Sequence, residues 1–242
     1  MTRSIRERVA AFVTGLAAAV VVIALAILPF LTPGWVAFEQ GRTHAAELAG
    51  YTPAELAAAT NSILHDLVLG PPDFAVQVNG SPVLGEREQS HMRDVRVVFA
   101  EFFGLAVLAT AALIGLVAWA YRAGRPAAAW RAVGAGMRWL IVGIVVAGVV
   151  ATFFFDQAFE IFHELFFPAG SYDFDPLTSH LVQLFPFDFW SETTIVLGAA
   201  IIGIAVIVWW ASRSMARRLA RVAPARSAAS VGASGASPER VG

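Results

Sequence analysis

The segment Asp156–Trp190, DQAFEIFHELFFPAGSYDFDPLTSHLVQLFPFDFW, sets aromatic rings beside His163, His180 and six carboxylates: Asp156, Glu160, Glu164, Asp173, Asp175 and Asp188. Such a mixture suits neither hydrocarbon nor bulk water, because aromatic rings favour headgroup depth while ionised carboxylates need solvent. The segment is therefore assigned to a membrane surface. Phe155, Phe159, Phe162 and Phe166 recur at helical spacing and form one aromatic face, with His163 beside it. This face is taken as the roof or floor of a working site.

Outward from that segment the chain is apolar in long runs. Hydrophobic residues make up 57%, charged residues only 14%, and the mean hydropathy is +0.66, whereas a soluble domain carries roughly 25% charged residues. Four runs meet the requirement of about 20 apolar residues for a bilayer span: 9–31, 102–121, 133–155 and 193–211. The first is too long for the apolar core of a signal peptide, and Leu31-Thr-Pro-Gly lacks a small-x-small cleavage pattern, so it reads as a retained helix. The fold class that follows is an all-α integral membrane protein with four transmembrane helices.

Charge orients these helices. All 17 basic residues are Arg, and thirteen fall in three segments: Arg3, Arg6 and Arg8; Arg122, Arg125, Arg131 and Arg138; and Arg213, Arg217, Arg218, Arg221, Arg226 and Arg240. The positive-inside rule makes those segments cytoplasmic, namely residues 1–8, 122–132 and 212–242. Sixteen of the 18 acidic residues lie in the two intervening loops, 32–101 and 156–192, which are then extracytoplasmic and build a small cap. The net charge of −1 conceals this polarity. From Ala223 the chain is mostly Ala, Ser, Gly, Pro and Arg, and the tail 212–242 is expected to be disordered. Without cysteine, no disulfide, thiol nucleophile or thiolate metal site is available.

In the first cap loop, Thr52-Pro53-Ala54-Glu55 forms a capping-box pattern that starts a helix ending near Leu69, before Gly70-Pro71-Pro72. His65 and Asp66 on it read as surface residues. Phe74–Val78 alternates, Asn79-Gly80 supplies a hairpin turn, and Pro82-Val-Leu returns. Ser90 is placed as N-cap of the next helix, which puts His91 in its first turn; the helix terminus then favours neutral imidazole, the form a general base needs. Asp94 lies on the same face and opposes that tendency. An interfacial histidine that only caps or snorkels is the alternative. Across the bilayer run, Glu160 stands three residues before His163, a spacing that lets a carboxylate orient an imidazole and that is also common on solvated helix faces. The rings of the second loop exceed what anchoring one helix end requires, which favours a lipid-binding pocket. Gly134, Gly136, Gly143, Gly198 and Gly203 are assigned to close helix packing. No serine elbow, zinc-protease helix, phosphate-binding glycine loop or nucleic-acid module occurs.

Four apolar helices, His91-Met92-x-Asp94-Val95 entering the second, Phe162-His163-Glu164-x-Phe166-Phe167 leaving the third, and Phe174-Asp175-Pro176 with Leu184-Phe185-Pro186-x-x-Phe189-Trp190 before the fourth together resemble the bacterial lipoprotein intramolecular transacylase family. The match spans about Val9 to Ala211. The resemblance implies an extracytoplasmic cap over a four-helix bundle and two catalytic histidines, His91 and His163. It implies support from Asp94, Glu160, Glu164 and Asp175, and a substrate pocket of Phe162, Phe166, Phe167, Tyr172, Phe174, Phe185, Phe189 and Trp190. The implied reaction moves the sn-2 acyl chain of a diacylglyceryl-modified cysteine to the same cysteine's α-amino group, with lipoprotein and membrane lipid as partners. Two imidazoles suffice for its proton transfers, so no metal or other cofactor is expected. The competing reading is a non-catalytic membrane protein whose acidic cap binds an extracytoplasmic partner.

Overall fold

The computed structural model describes residues 4–234, with side chains through residue 221. Residues 1–3 and 235–242, with Arg3 and Arg240 among them, lie outside the described residues, as does the side chain of Arg226. Four helices are long and apolar enough to cross a membrane. Helix α1, Ile5–Ile27, starts where the Ser4 hydroxyl accepts the Glu7 N–H, and tightens into a 3₁₀ turn at Leu28–Leu31. Helices α5, Glu86–Arg122, and α6, Pro126–Phe166, each extend well beyond their apolar runs. They climb out of the bilayer region and become the pillars of the cap. Phe154 has non-helical angles (φ −139°, ψ 42°), so α6 kinks where the apolar run gives way to the aromatic segment.

The cap adds α2, Pro33–Arg42, α3, Ala45–Ala49, and α4, Pro53–Val68, between α1 and α5. As the sequence predicts, Thr52 and Glu55 exchange both capping-box bonds. The hairpin forms at Asn79-Gly80 but is shorter than expected, with β1, Gln77–Val78, pairing antiparallel to β2, Ser81–Pro82. Two residues per strand suffice because Phe74, Val76, Val83 and Leu84 are buried in the cap core instead of extending the ladder. Helix α7, His180–Leu184, and the start of α8, Phe187–Ser234, come from the second loop.

One expectation needs correction. Helix α5 begins at Glu86, not after Ser90, because the Glu88 carboxylate accepts the Gly85 N–H at 2.6 Å and supplies the cap that Ser90 was assigned. His91 consequently lies in the second turn, beyond the reach of the terminal dipole. Helix α8 runs on past the bundle to Ser234, and residues 235–242 of the tail expected to be disordered lie outside the described residues.

Among the glycines assigned to packing, a Cβ at Gly136 would overlap the Gly15 carbonyl on α1, and one at Gly134 would stand 3.0 Å from the Ser212 hydroxyl. Gly143 and Gly203 have open space around them, and a Cβ at Gly198 would meet only Ile144, at 3.7 Å. The close approach is thus between α1 and α6, with α6 packed most extensively on α8.

Candidate active site

The two long pillars bring His91 and His163 together. His91 projects from α5 and His163 from α6 beyond its kink; both are buried, with ring centroids 6.0 Å apart and planes inclined by only 23°. Phe167 closes the space between them, 4.8 Å from His91 and 5.4 Å from His163. Phe174 meets His91 edge-on at 5.6 Å, Phe159 tilts over His163 at 4.2 Å, and Tyr172 faces His163 at 5.0 Å. This is an aromatic cage around two imidazoles; of the helical face Phe155, Phe159, Phe162 and Phe166, Phe159 and Phe162 meet the His163 ring.

Their hydrogen bonding differs. His163 Nδ1 lies 2.7 Å from the Phe159 carbonyl oxygen, which can only accept, so Nδ1 carries a proton and the lone pair of the neutral tautomer is on Nε2. Glu160 does not orient this ring, contrary to the expectation from spacing: it accepts a bond from the Tyr172 hydroxyl at 3.4 Å. The backbone one turn below was nearer than any side chain. Tyr172 is held above the usual phenol range by burial first, then by Glu160 and Glu164. His91 Nδ1 is buried without a partner. Burial first and then the neighbouring His163 lower the His91 pKa to about 4, with Asp94 opposing. The neutral imidazole expected at position 91 is obtained, but from desolvation, not from a helix terminus.

The remaining expected residues divide. Phe162 meets the His163 ring edge-on and Phe166 meets Phe162, each 47% exposed on α6. Glu164 is exposed. Asp175 is a turn residue: its carboxylate accepts the Leu177 N–H and its carbonyl the Thr178 and Ser179 N–H groups. Phe185 and Phe189 belong to the cap core, with Trp190 tilted against Phe185 and edge-on to Phe189, so they brace the cap and not the paired histidines. His180 likewise serves the cap, its Nδ1–H donating to the Val83 carbonyl at 3.0 Å. Among the described residues no cluster of three or more His, Asp or Glu has the arrangement to hold a metal.

Sequence reasoning missed Arg87 and Glu88. Arg87, one turn before His91, donates to the carbonyls of Gly170 (3.0 Å) and Asp173 (3.1 Å) and sets its guanidinium 5.5 Å over the Phe174 ring. It thereby pins the loop that carries Tyr172 and Phe174. The buried Glu88 carboxylate accepts from the Ser179 hydroxyl (2.5 Å) and the Leu181 N–H (2.9 Å), tying α5 to α7. The i, i+4 spacing of Arg87 and His91 was the available signal, but partners more than 80 residues away are invisible in a single sequence.

A family model described as lipoprotein intramolecular transacylase Lit matches residues 11–190. The chain belongs to this family. It is also similar in fold to the membrane integral lipoprotein intramolecular transacylase Lit from Bacillus cereus, with a TM-score of 0.72 at 17% identity, covering 90% of this chain and 98% of that one. Two further structures of the Bacillus cereus protein, each with one histidine substituted, by arginine or alanine, align at 0.72 and 16% identity, covering 90–91% of this chain and 95–96% of theirs. No curated protein matches the sequence. Membership fixes the protein as a multi-pass membrane transacylase.

Proposed function

We propose that this transacylase moves the sn-2 acyl chain of a diacylglyceryl-modified N-terminal cysteine to that cysteine's α-amino group, with His91 and His163 performing the proton transfers. The observation that carries the reading is the burial of two near-parallel imidazoles, 6.0 Å apart, inside an aromatic cage. His163 is the base. Its Nδ1–H is committed to Phe159, so Nε2 is left to take the proton of the attacking amine. His91 stays neutral at its lowered pKa and acts as an electrophile. An unpartnered buried lone pair costs less than an unpartnered N–H, which puts the His91 proton on Nε2, facing the developing oxyanion.

The steps balance without a co-reactant. The amine forms a C–N bond to the ester carbonyl as His163 accepts its proton; the tetrahedral intermediate collapses, the C–O bond at sn-2 breaks, and His163 returns the proton to the leaving oxygen. The product is an N-acyl cysteine bearing a lyso glyceryl group. Donor and acceptor lie in one molecule, so folding the substrate to bring its ends together supplies much of the rate, up to about 7–11 kcal/mol in ideal cases. Phe162 and Phe166 are placed to receive acyl chains from the bilayer side, and Phe167, Tyr172 and Phe174 to shape the reacting headgroup. The polarity of the loops supports both termini in the cytoplasm and this site outside: a reporter near Gly80 should be extracytoplasmic and ones near Arg125 and after Gly242 cytoplasmic. Mass spectrometry of a lipoprotein's N-terminal peptide from membranes with and without the protein tests the reaction. Absence of the N-acyl lyso form in both would overturn it.

A further inference from the structure

A groove of about 500 Å³ opens on the cap between the start of α5, Gly85 to Glu88, and the loop residues Phe174, Asp175, Thr178 and Ser179. Its inner wall is shared with the site, because Phe174 also meets the His91 ring at 5.6 Å. We propose that this groove receives the extended polypeptide that follows the lipidated cysteine of the substrate. The inference rests on the reaction proposed above and names where the substrate's protein part lies.

Vertical order along α5 is the first argument. The apolar run of this helix begins near Phe102, His91 lies beyond it, and Gly85 to Glu88 lie farther still from the bilayer. A lipidated cysteine held at His91 with its chains in the membrane must send its polypeptide the other way, towards the groove. Arg87 stands four residues from His91, about 6 Å along the helix axis. An extended chain advances about 3.3–3.6 Å per residue and so enters the groove by its second residue.

Lining chemistry is the second. Glu86, Arg87, Asp175 and Thr178 are exposed at the rim, a poor bed for an acyl chain and a good one for a polypeptide rich in polar backbone groups. The walls are also preformed. Arg87 holds the Gly170 and Asp173 carbonyls, and Glu88 holds Ser179 and Leu181, so the two sides of the groove are tied together before anything binds and little ordering remains to oppose binding.

The test uses the intact protein in detergent and two lipopeptides with the same diacylglyceryl cysteine, one continuing for a single residue and one for six. The longer should show a kcat/KM about tenfold higher, and Thr178→Trp, which fills the groove, should reduce the long-to-short ratio towards one. A photoreactive residue three places after the cysteine should label segments 85–88 or 174–179 of the unsubstituted protein. Equal kcat/KM for both lipopeptides, or label confined to the bundle helices, overturns the groove while leaving the reaction standing. Conversion of neither lipopeptide overturns the reaction and the groove together.

Discussion

The cap and the bundle are cored differently. Ile63, Phe74, Leu84 and Leu184, all 1% exposed or less, centre the cap, whereas the bundle core is built on Ala18, Val22, Ala26, Val133, Met137, Ile201 and Ala205. Water surrounds the cap, so large apolar side chains stabilise it by leaving solvent, at about 25 cal/mol per Å². In the bilayer an apolar side chain gains nothing by leaving lipid, and helices associate through close packing of small residues. The contact of Gly15 with Gly136 is that packing carried to its limit. The histidines lie where the regimes meet, on α5 and α6, whose lower parts belong to the bundle and upper parts to the cap. The bundle sets the spacing of the pillars, and the cap closes the cage around it.

The largest expected effect falls on chemistry alone. His91→Ala and His163→Ala should each reduce conversion of diacylglyceryl lipoprotein about 10²- to 10⁴-fold at equal protein levels, without unfolding either region. His44, His65 and His180 are the controls, since none faces the pair. The double variant should be scarcely worse than the worse single one, as for groups acting as one unit. Near-normal conversion by either single variant would break the two-histidine mechanism.

Next come substitutions that separate the two cores. Ile63→Ala should cost the cap about 2–5 kcal/mol, seen as faster hydrogen exchange in α4 with the bundle parts of α1 and α6 unchanged. Gly136→Val should do the reverse, costing about 1–3 kcal/mol through overpacking against α1 and accelerating exchange there first. If both variants loosen both regions equally, the cap and bundle are one cooperative unit and the comparison fails.

Arg87→Ala should then lower kcat about tenfold with the histidines intact, because it frees the loop that sets Tyr172 and Phe174 against them. Arg87→Lys should recover little of this, since an ammonium lacks the planar fork that spans two carbonyls. A change in KM alone would show that Arg87 serves only the groove and does not set the loop against the histidines.

The bundle was legible in the sequence because a bilayer imposes length and apolarity on each span separately, and the capping box at Thr52 and the turn at Asn79-Gly80 are equally local. The two histidines were reachable through periodicity and motif order. What failed were local rules overruled at a distance. Ser90 looked like the N-cap until Glu88 supplied the acceptor, and Glu160 looked like the partner of His163 until the Phe159 carbonyl proved closer. Phe185 and Phe189 resemble pocket residues by composition, yet the fold of α2 to α4 over them makes them core. Long-range partners such as Arg87 with Gly170 leave no trace in spacing.

The smallest expected effect concerns a joint between the two regions. Glu39 on α2 is 1% exposed beside Glu192 on α8, which pairs with Arg42 at 2.8 Å. Burial first, then the hydrogen bond and charge of Glu192, raise the Glu39 pKa to about 7 with Arg42 opposing; Glu192 is correspondingly lowered by bonds from Glu39 and Arg42. Below about pH 7, then, Glu39 holds the proton and Glu192 the charge. Between the usual value of 4.5 and about 7 the folded state binds this proton and the unfolded state does not, so stability falls as pH rises through that window. His91 has the opposite sign: its pKa drops from 6.5 to about 4 on folding, the unfolded state binds more protons in that interval, and stability rises with pH. The two windows overlap and largely cancel. Glu39→Gln should remove one side of the balance, so that the thermal midpoint in detergent climbs by a few degrees from pH 4.5 to 6.5 where the unsubstituted protein stays nearly level. His91→Phe should tilt it the other way, with the midpoint falling from pH 4.5 to 7. Identical profiles for all three proteins would show that neither group titrates in the folded joint as its burial requires.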